Sequence, residues 1–235
     1  MVKLLRLKHF PPPLLENAIH VFTTQITDLA QEPRLSQYLN ETEQQRAARF
    51  LNPEHGRRFS QVRGLLRMWL GTYLQQSPQS VQFNYNRYGQ PSVSDKDRQT
   101  PLYFNISHSG DMAAFIFGTV RVGIDVEQHK PMKNLNGMSR YISHPKELAE
   151  FEQLDEEAAY TAFFRLWTRK EAYIKANGQG LSMGLRSIYI GTQREPESRV
   201  EYKDRIQSNW LIKDLAIPST NGLPYQLAVA IEHNI

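Results

Sequence analysis

Two carboxylates stand two residues apart in the segment VGIDVEQ, at Asp125 and Glu127. If this segment is a β-strand, its period of two places both carboxylates on one face and Ile124 and Val126 on the other. Neighbouring carboxylates repel each other, so they need an exposed face or a cation between them. Oxygen ligands suit a hard ion such as Mg²⁺, which often completes its shell with waters and substrate phosphates. The alternative interpretation is an ordinary polar outer face of a sheet.

A second group of charged residues lies downstream, in the segment WTRKEAYIK. Lys170, Glu171 and Lys175 fall within about one and a half turns of a predicted helix, and Glu171 and Lys175 have the i,i+4 spacing at which side chains meet. Taken alone, this pair predicts a surface ion pair worth a few tenths of a kcal/mol. Together with the upstream carboxylates, it favours metal-assisted phosphate chemistry.

His108, in the segment NISHSG, lies where a predicted strand runs into a turn. An imidazole there would bind a phosphate or act as an acid or base, and the alternative is a merely solvated turn histidine. No second histidine stands at ligand spacing, so a zinc site is not favoured.

The segment 46–67 is rich in arginine. Its six arginines face a single acid, Glu54: they are Arg46, Arg49, Arg57, Arg58, Arg63 and Arg67. Apolar residues at steps of three and four predict a long amphipathic helix, after a break marked by Asn52-Pro53 and Gly56. Its basic edge is either a solvated face or a phosphate-binding patch, because guanidinium forks match phosphate oxygens.

The elements that must position these residues follow from periodicity and turn signals. A helix is predicted from about Ala158 to a stop at Asn177-Gly178, because its apolar residues recur every three or four positions. Short strands are predicted over 102–106, 112–117, 121–127, 187–190, 210–214 and 225–231, with a Tyr88-Gly89-Gln90-Pro91 turn before them. Residues 128–140 are predicted as a loop, and a helix is predicted to start near Pro145.

Composition narrows the class of protein. The chain has 235 residues, 40% of them apolar and 11% aromatic, which is typical of a folded protein. The absence of cysteine excludes disulfides and thiolate chemistry. A net charge of +4 favours anionic partners, namely nucleic acid, phosphorylated small molecules or acidic proteins. No apolar run approaches the roughly 20 residues that span a bilayer, and charges and prolines interrupt the N-terminal segment, so we expect a cytoplasmic protein without membrane contact.

Three segments in this order, FNISHSG, VGIDVE and the W-x-x-KEA-x-x-K helix closed by G-x-GL, resemble the signature of the 4'-phosphopantetheinyl transferases. The length resembles that of the two-domain, Sfp-type branch. The RRFSQVRGLLR helix and the YGQP turn also lie where that branch has its equivalents, although Gln90 and Gln179 stand where the family often has lysine. The resemblance covers roughly residues 43–185.

This resemblance implies an α+β fold of two similar α/β subdomains, related by a pseudo-twofold, with the active site at their interface. We expect an N-terminal subdomain over 1–118 and a C-terminal subdomain over 119–235. The resemblance implies Asp125, Glu127 and Glu171 as Mg²⁺ ligands and Glu171 as the general base as well. Contacts to coenzyme A are implied for Arg46, Arg49 and Arg58 at its 3'-phosphate, for Ser107 and His108 at its phosphates, and for Lys170 and Lys175 at its pyrophosphate, where Lys175 also assists catalysis.

The implied reaction transfers the phosphopantetheine arm of coenzyme A to a serine of an apo acyl or peptidyl carrier protein. A monomer is expected, because a two-domain chain supplies both sides of the site. Three alternatives remain open: a basic nucleic-acid-binding protein, a Mg²⁺-dependent phosphodiesterase, and a scaffold that binds coenzyme A without turnover. The first alternative leaves Asp125, Glu127 and Glu171 unexplained.

Overall fold

A computed structural model describes residues 2–5, 18–93, 100–195, 197–219 and 222–233. The strands are β1 (Val2–Leu5), β2 (Ile19–Gln25), β3 (Phe83–Tyr85), β4 (Pro91–Val93), β5 (Tyr103–Ser109), β6 (Met112–Gly118), β7 (Val122–Gln128), β8 (Ile188–Tyr189), β9 (Ser198–Tyr202), β10 (Arg205–Asp214) and β11 (Tyr225–Glu232). The α-helices are α1 (Glu41–Ala48), α2 (Pro53–Leu74), α3 (Leu135–Ile142), α4 (Pro145–Phe151) and α5 (Glu156–Asn177).

The strands form two larger sheets and one small hairpin. The first sheet has the order β1-β2-β6-β5, the second has the order β7-β11-β10-β9-β8, and β3 pairs with β4. All pairs are antiparallel except β1 with β2. In each half the last strand in sequence lies between the first long strand and the strand that precedes it in sequence. The order is β2-β6-β5 in one half and β7-β11-β10 in the other. The two halves therefore share a topology.

Each large sheet has a long helix on one face. On α2, Trp69 stacks on Phe22 of the first sheet with ring centroids 4.2 Å apart. On α5, Tyr173 meets Trp210 of the second sheet edge-on at 5.3 Å. The opposite faces of the two sheets share a third apolar core, made of residues from β2, β6, β7 and β11. The fold is thus helix, sheet, sheet, helix, and the α+β class predicted from the sequence is confirmed.

Local signals explain where the central helix begins and ends. Asp155 accepts a hydrogen bond from the backbone N–H of Ala158, so α5 begins at Glu156, two residues before the predicted start. Gly178 closes the helix in the left-handed conformation, with φ of 79°, where glycine is favoured. The predicted stop at Asn177-Gly178 is confirmed.

Two sequence-based predictions of secondary structure are wrong. Gly56 does not precede α2 but lies buried in its first turns, where a Cβ atom would come within 2.4 Å of the Ala47 carbonyl oxygen. The glycine lets α1 pack against α2 at this point. Residues 128–140 are not all loop, because α3 begins at Leu135, capped by the Asn134 side chain. Strand β9 was not predicted, since its SRVEY sequence has only one buried apolar residue, Val200.

No helix in the described part of the chain is both long and apolar enough to cross a bilayer.

Candidate active site

Close packing of α5 on β7 brings the two groups of charged residues together. A Cβ atom on Gly123 would lie 2.0 Å from the carbonyl oxygen of Ala172, so the helix backbone approaches the strand where only glycine fits. The side chain of Asp125 follows on the same face of the strand, by the period of two. It meets Lys175, whose Nζ lies 2.7 Å from Asp125 Oδ1.

The Asp125 carboxylate is buried and only half satisfied. Its Oδ1 accepts hydrogen bonds from Lys175 Nζ and from Ser107 Oγ, each at 2.7 Å. Its Oδ2 is buried and has no hydrogen-bond partner among the described residues. Burial raises the pKa of Asp125 above its usual value, although Lys175 and Ser107 act in the opposite direction. One oxygen of this carboxylate therefore remains available for a ligand.

Glu127 and Glu171 complete an acidic group around Asp125. Ser109 Oγ donates to Glu127 Oε2 at 2.5 Å, which ties β5 to β7. Burial raises the pKa of Glu127, and the Asp125 charge adds to the effect. Burial also raises the pKa of Glu171, with a further rise from the Asp125 and Glu127 charges that Lys175 partly offsets. The Asp125 charge thus acts on both Glu127 and Glu171.

The oxygen atoms of these three carboxylates are suitable ligands for a hard divalent cation, but the side chains are not gathered around one point. Across the described residues, no three Asp, Glu, His or Cys side chains are gathered closely enough to hold a metal ion as they stand. Two observations nevertheless favour a cation: Asp125 Oδ2 has no partner among the described residues, and the Asp125 charge raises the pKa of both Glu127 and Glu171. A purely oxygen donor set is what Mg²⁺ prefers.

His108 lies on the other face of β5 from Ser107 and Ser109, with its side chain exposed. The surrounding protein lowers the pKa of His108 by partial desolvation, and the positive charges of Lys175 and Arg58 lower it further. Arg58 itself donates a hydrogen bond to the carbonyl oxygen of Gly110 and lies 3.3 Å from Asp111 Oδ1. Arg58 and Lys175, both near His108, therefore form a positive region at the end of β5, which suits an anionic ligand.

The remaining predicted arginine contacts lie on the surface beside α2. Arg46 is exposed, and its guanidinium lies 5.0 Å from the ring centroid of Phe59, the residue that follows Arg58. Arg49 is exposed at the end of α1. The next two arginines of the segment are structural, because Arg63 and Arg67 are buried and both bind Glu43.

A cleft of about 270 Å³ opens between the two halves beside these groups. Its walls come from the β3–β4 turn, from β5, from α5 and from the segment after α5. The polar residues that line it include Gln90, Asn105, Glu171 and Lys175. Glu171 and Lys175 thus face a space that is open to a ligand, and both halves of the chain enclose it.

Comparisons with known proteins point to the same family for the N-terminal and the C-terminal half of the chain. The family model described as the 4'-phosphopantetheinyl transferase superfamily matches residues 121–230, and the model for the N-terminal region of 4'-phosphopantetheinyl transferases matches residues 30–118. The 4'-phosphopantetheinyl transferase HetI of Nostoc sp. is 37% identical over 186 residues, which are 78% of this chain and 78% of HetI. The chain belongs to the 4'-phosphopantetheinyl transferase family. Sfp of Bacillus subtilis is 28% identical over 171 residues, covering 73% of this chain and 74% of Sfp.

The resemblance to this family placed Lys170 at the pyrophosphate, and the structure corrects that prediction. Lys170 is fully buried, with its Nζ 2.6 Å from Glu147 Oε2 and hydrogen-bonded to the carbonyl oxygens of Ile142 and Leu185. Consecutive residues of a helix do not share a face, so Lys170 cannot point with Glu171 into the cleft. It belongs to the core of the C-terminal half.

Sequence reasoning missed several residues of this transferase site. Ser109 was overlooked although it alternates with Ser107 along β5, a signal that would have placed both hydroxyls on one face. Asn105 lies on the same face, buried and with no partner for its Oδ1 among the described residues. Gln90 was noticed only as a departure from the family, and its contact with α5 had no local signal.

Proposed function

We propose that this transferase moves the 4'-phosphopantetheine group of coenzyme A to a serine hydroxyl of an apo acyl or peptidyl carrier protein. Adenosine 3',5'-bisphosphate is the leaving group. The observation that carries the proposal is the convergence of Glu171 and Lys175, from one helix, on a cleft between the halves, where Lys175 also binds the buried Asp125 carboxylate. Family membership supplies the reaction class, and the cleft supplies groups of the right charge.

In the proposed mechanism the serine oxygen attacks the β-phosphorus of coenzyme A. A new P–O bond forms as the bond between phosphorus and the adenosine bisphosphate oxygen breaks, and the hydroxyl proton passes to Glu171. Its environment suits this role, because burial and the Asp125 charge raise the pKa of Glu171 and so make its carboxylate a stronger proton acceptor. Lys175 supplies positive charge beside the departing phosphate. This charge stabilises the negative charge that develops there in the transition state.

We further propose that Asp125, Glu127 and Glu171 hold a Mg²⁺ ion. When bound, such an ion neutralises phosphate oxygens and polarises the phosphorus. Lys175 holds one oxygen of Asp125, so the other oxygen is the one offered to the ion.

The coenzyme A contacts are proposed along the positive region at the end of β5. Arg58 and His108 take phosphate oxygens, with Ser107 beneath them and with Arg46 and Arg49 extending the region over α1. Lys170 has no part in it. The division into halves at 118/119 remains our proposal, as do a monomeric enzyme and a cytoplasmic location.

A nucleic-acid-binding role gains no support from the arginine helix. Glu43 lies between Arg63 and Arg67, so two of the six arginines are withdrawn from the surface. Phosphodiester hydrolysis remains the alternative that shares the acidic group. It differs in its product, because the phosphopantetheine arm would then be transferred to water.

The test is the intact mass of a purified apo carrier protein after incubation with the enzyme, coenzyme A and Mg²⁺. A mass gain of one phosphopantetheine arm is expected, and it should disappear with Glu171→Gln or with a chelator. Glu157→Gln is the matched control, since Glu157 is an exposed glutamate of the same helix. Hydrolysis of coenzyme A without any mass gain would replace the proposal with the phosphodiesterase.

A further inference from the structure

The β3–β4 hairpin ends in a tight turn over Asn86–Gln90 that is ordered by its own side chain. Asn86 Oδ1 accepts hydrogen bonds from the backbone N–H groups of Tyr88 and Gln90, at 2.9 and 3.0 Å. The backbone of Asn86 also pairs with Gln90 and Gly89. Gly89 has a φ of 82°, the left-handed conformation that glycine adopts without strain. This turn belongs to the N-terminal half of the chain.

The turn holds the C-terminal end of α5, which belongs to the other half. Gln90 Nε2 donates to the carbonyl oxygen of Lys175 at 2.5 Å, and Asn86 Nδ2 donates to the carbonyl oxygen of Gly178 at 2.8 Å. The last carbonyl groups of a helix have no partner within the helix, and this end carries partial negative charge. Two amide donors from another element therefore match what the end of α5 lacks.

Gly178 allows this close approach. A Cβ atom at Gly178 would lie 2.3 Å from Gln90 Oε1 and 3.5 Å from Asn86 Nδ2, and the φ of 79° disfavours any other residue. The turn and the helix end thus fit each other at a single point between the halves.

We propose that Asn86 and Gln90 form a clasp between the two halves, and that Gln90 is a positioning residue for Lys175. The clasp fixes the backbone of Lys175 from one side, while Asp125 and Ser107 fix its Nζ from the other. Lys175 is thereby held at both ends of its side chain, within a cleft that Gln90 also lines. The positioning role rests on the proposed function of Lys175, whereas the clasp itself does not.

The clasp gives Gln90 a role at a position where the family often has lysine. The side-chain amide of Gln90 donates its hydrogen bond to the end of the helix, so we expect Gln90 to affect catalysis through the position of Lys175. A lysine at position 90 would also bring a donor to the negative end of the helix. The role therefore requires a donor of sufficient length, and a side chain of similar size without one should fail.

The experiment compares Gln90→Met, which removes the donor at nearly constant size, with Gln90→Lys, which restores one. Gln82→Met is the control, because Gln82 is an exposed glutamine just before β3 whose side-chain amide donates to the nearby carbonyl oxygen of Ser80. In Gln90→Met we expect kcat to fall about fivefold, as one lost hydrogen bond implies, with KM for coenzyme A within about twofold of wild type. Gln90→Lys should retain a kcat near that of wild type.

Hydrogen exchange of the full-length protein gives a readout that needs no activity. Backbone amides in the last turn of α5 should exchange about fivefold faster in Gln90→Met than in wild type. In Gln82→Met their exchange rate should equal that of wild type. Equal exchange in the two variants would overturn the clasp. Faster exchange with wild-type kcat, or a loss of kcat that Gln90→Lys does not restore, would overturn the positioning role. If wild-type enzyme modified no carrier protein, the proposed function would fail while exchange still tested the clasp.

Discussion

Helix α5 carries two lysine–carboxylate pairs five residues apart, and they differ in how completely they are satisfied. Lys170 and Glu147 are both fully buried. The Lys170 ammonium has two carbonyl partners besides Glu147, and Glu147 accepts from the backbone N–H groups of His144, Ile190 and Gly191. Lys175 is closer to solvent, with its side chain 28% exposed, and Asp125 Oδ2 has no hydrogen-bond partner among the described residues.

We infer that the difference separates a structural pair from one that is able to meet a ligand. A buried charge that has used all its hydrogen-bonding capacity has none left for a ligand, whereas an unused oxygen beside a cleft costs stability until something binds it. The Lys170 pair joins α3, α4 and the segment after α5 to the central helix. The Lys175 pair faces the space between the halves.

Lys170→Met should produce the largest effect, because it leaves the Glu147 carboxylate buried without its cation. We expect the free energy of unfolding to fall by about 3–5 kcal/mol, measured by urea denaturation. Lys213→Met is the control: Lys213 pairs with Glu197 at the surface, and its loss should cost no more than about 1 kcal/mol. Equal stability of the two variants would contradict the distinction drawn between the pairs.

Lys175→Met should reverse this pattern. Asp125 keeps its bond from Ser107 and can take up a proton, so we expect the urea midpoint to move less than in Lys170→Met. Transfer to the carrier protein should nevertheless slow by about 10²- to 10³-fold, the range for loss of one electrostatic group at a reacting centre. Single-turnover rates measured on folded protein separate this loss from unfolding, and a rate near wild type would remove Lys175 from the mechanism.

The same pairs show what sequence could and could not predict. Periodicity placed Asp125 and Glu127 on one strand face and ended α5 at Gly178, because strand alternation and a glycine stop are local properties. The orientation of Lys170 depended on Glu147, a residue 23 positions earlier whose place is set by packing. The contact between Gln90 and Lys175 spans 85 positions and joins two halves, so no local pattern encodes it.

The N-terminal half has its own buried ion cluster, Glu43 with Arg63 and Arg67, and the stability that this cluster contributes depends on pH. Glu43 lies 2.5 Å from both Arg63 Nε and Arg67 Nε. Burial alone would raise the pKa of Glu43, but hydrogen bonds from Arg67 and Arg63 outweigh it and hold the pKa below the usual 4.5. The stability that this group contributes is therefore complete above pH 4.5 and is lost as the pH falls through the lower, folded-state pKa.

Urea unfolding of wild type and Glu43→Gln from neutral pH into acid measures that contribution. The variant should be less stable at neutral pH, because Arg67 is fully buried, and its stability should fall less steeply than that of wild type below pH 4.5. Parallel curves for the two proteins would show that Glu43 titrates alike in the folded and unfolded states.

The smallest effect is expected for two consecutive arginines of α2 that differ in surroundings. Arg57 pairs with Glu54 at the surface, with 60% of its side chain exposed, whereas Arg58 binds the Gly110 carbonyl and Asp111 beside His108. Arg58→Ala should weaken coenzyme A binding about tenfold, roughly the 1.4 kcal/mol of one charged contact, and Arg57→Ala should leave it unchanged.

The affinity for coenzyme A that lacks its 3'-phosphate distinguishes two possible roles of Arg58. If Arg58 binds that phosphate, calorimetry should show that Arg58→Ala weakens coenzyme A and leaves the affinity for the dephosphorylated compound as in wild type. If Arg58 acts only by holding the turn between β5 and β6, both compounds should lose affinity equally, because the turn carries Ser109 and, through it, Glu127. Equal losses would leave Arg58 a structural residue like Arg63 and Arg67, and would move the phosphate site elsewhere along the positive region.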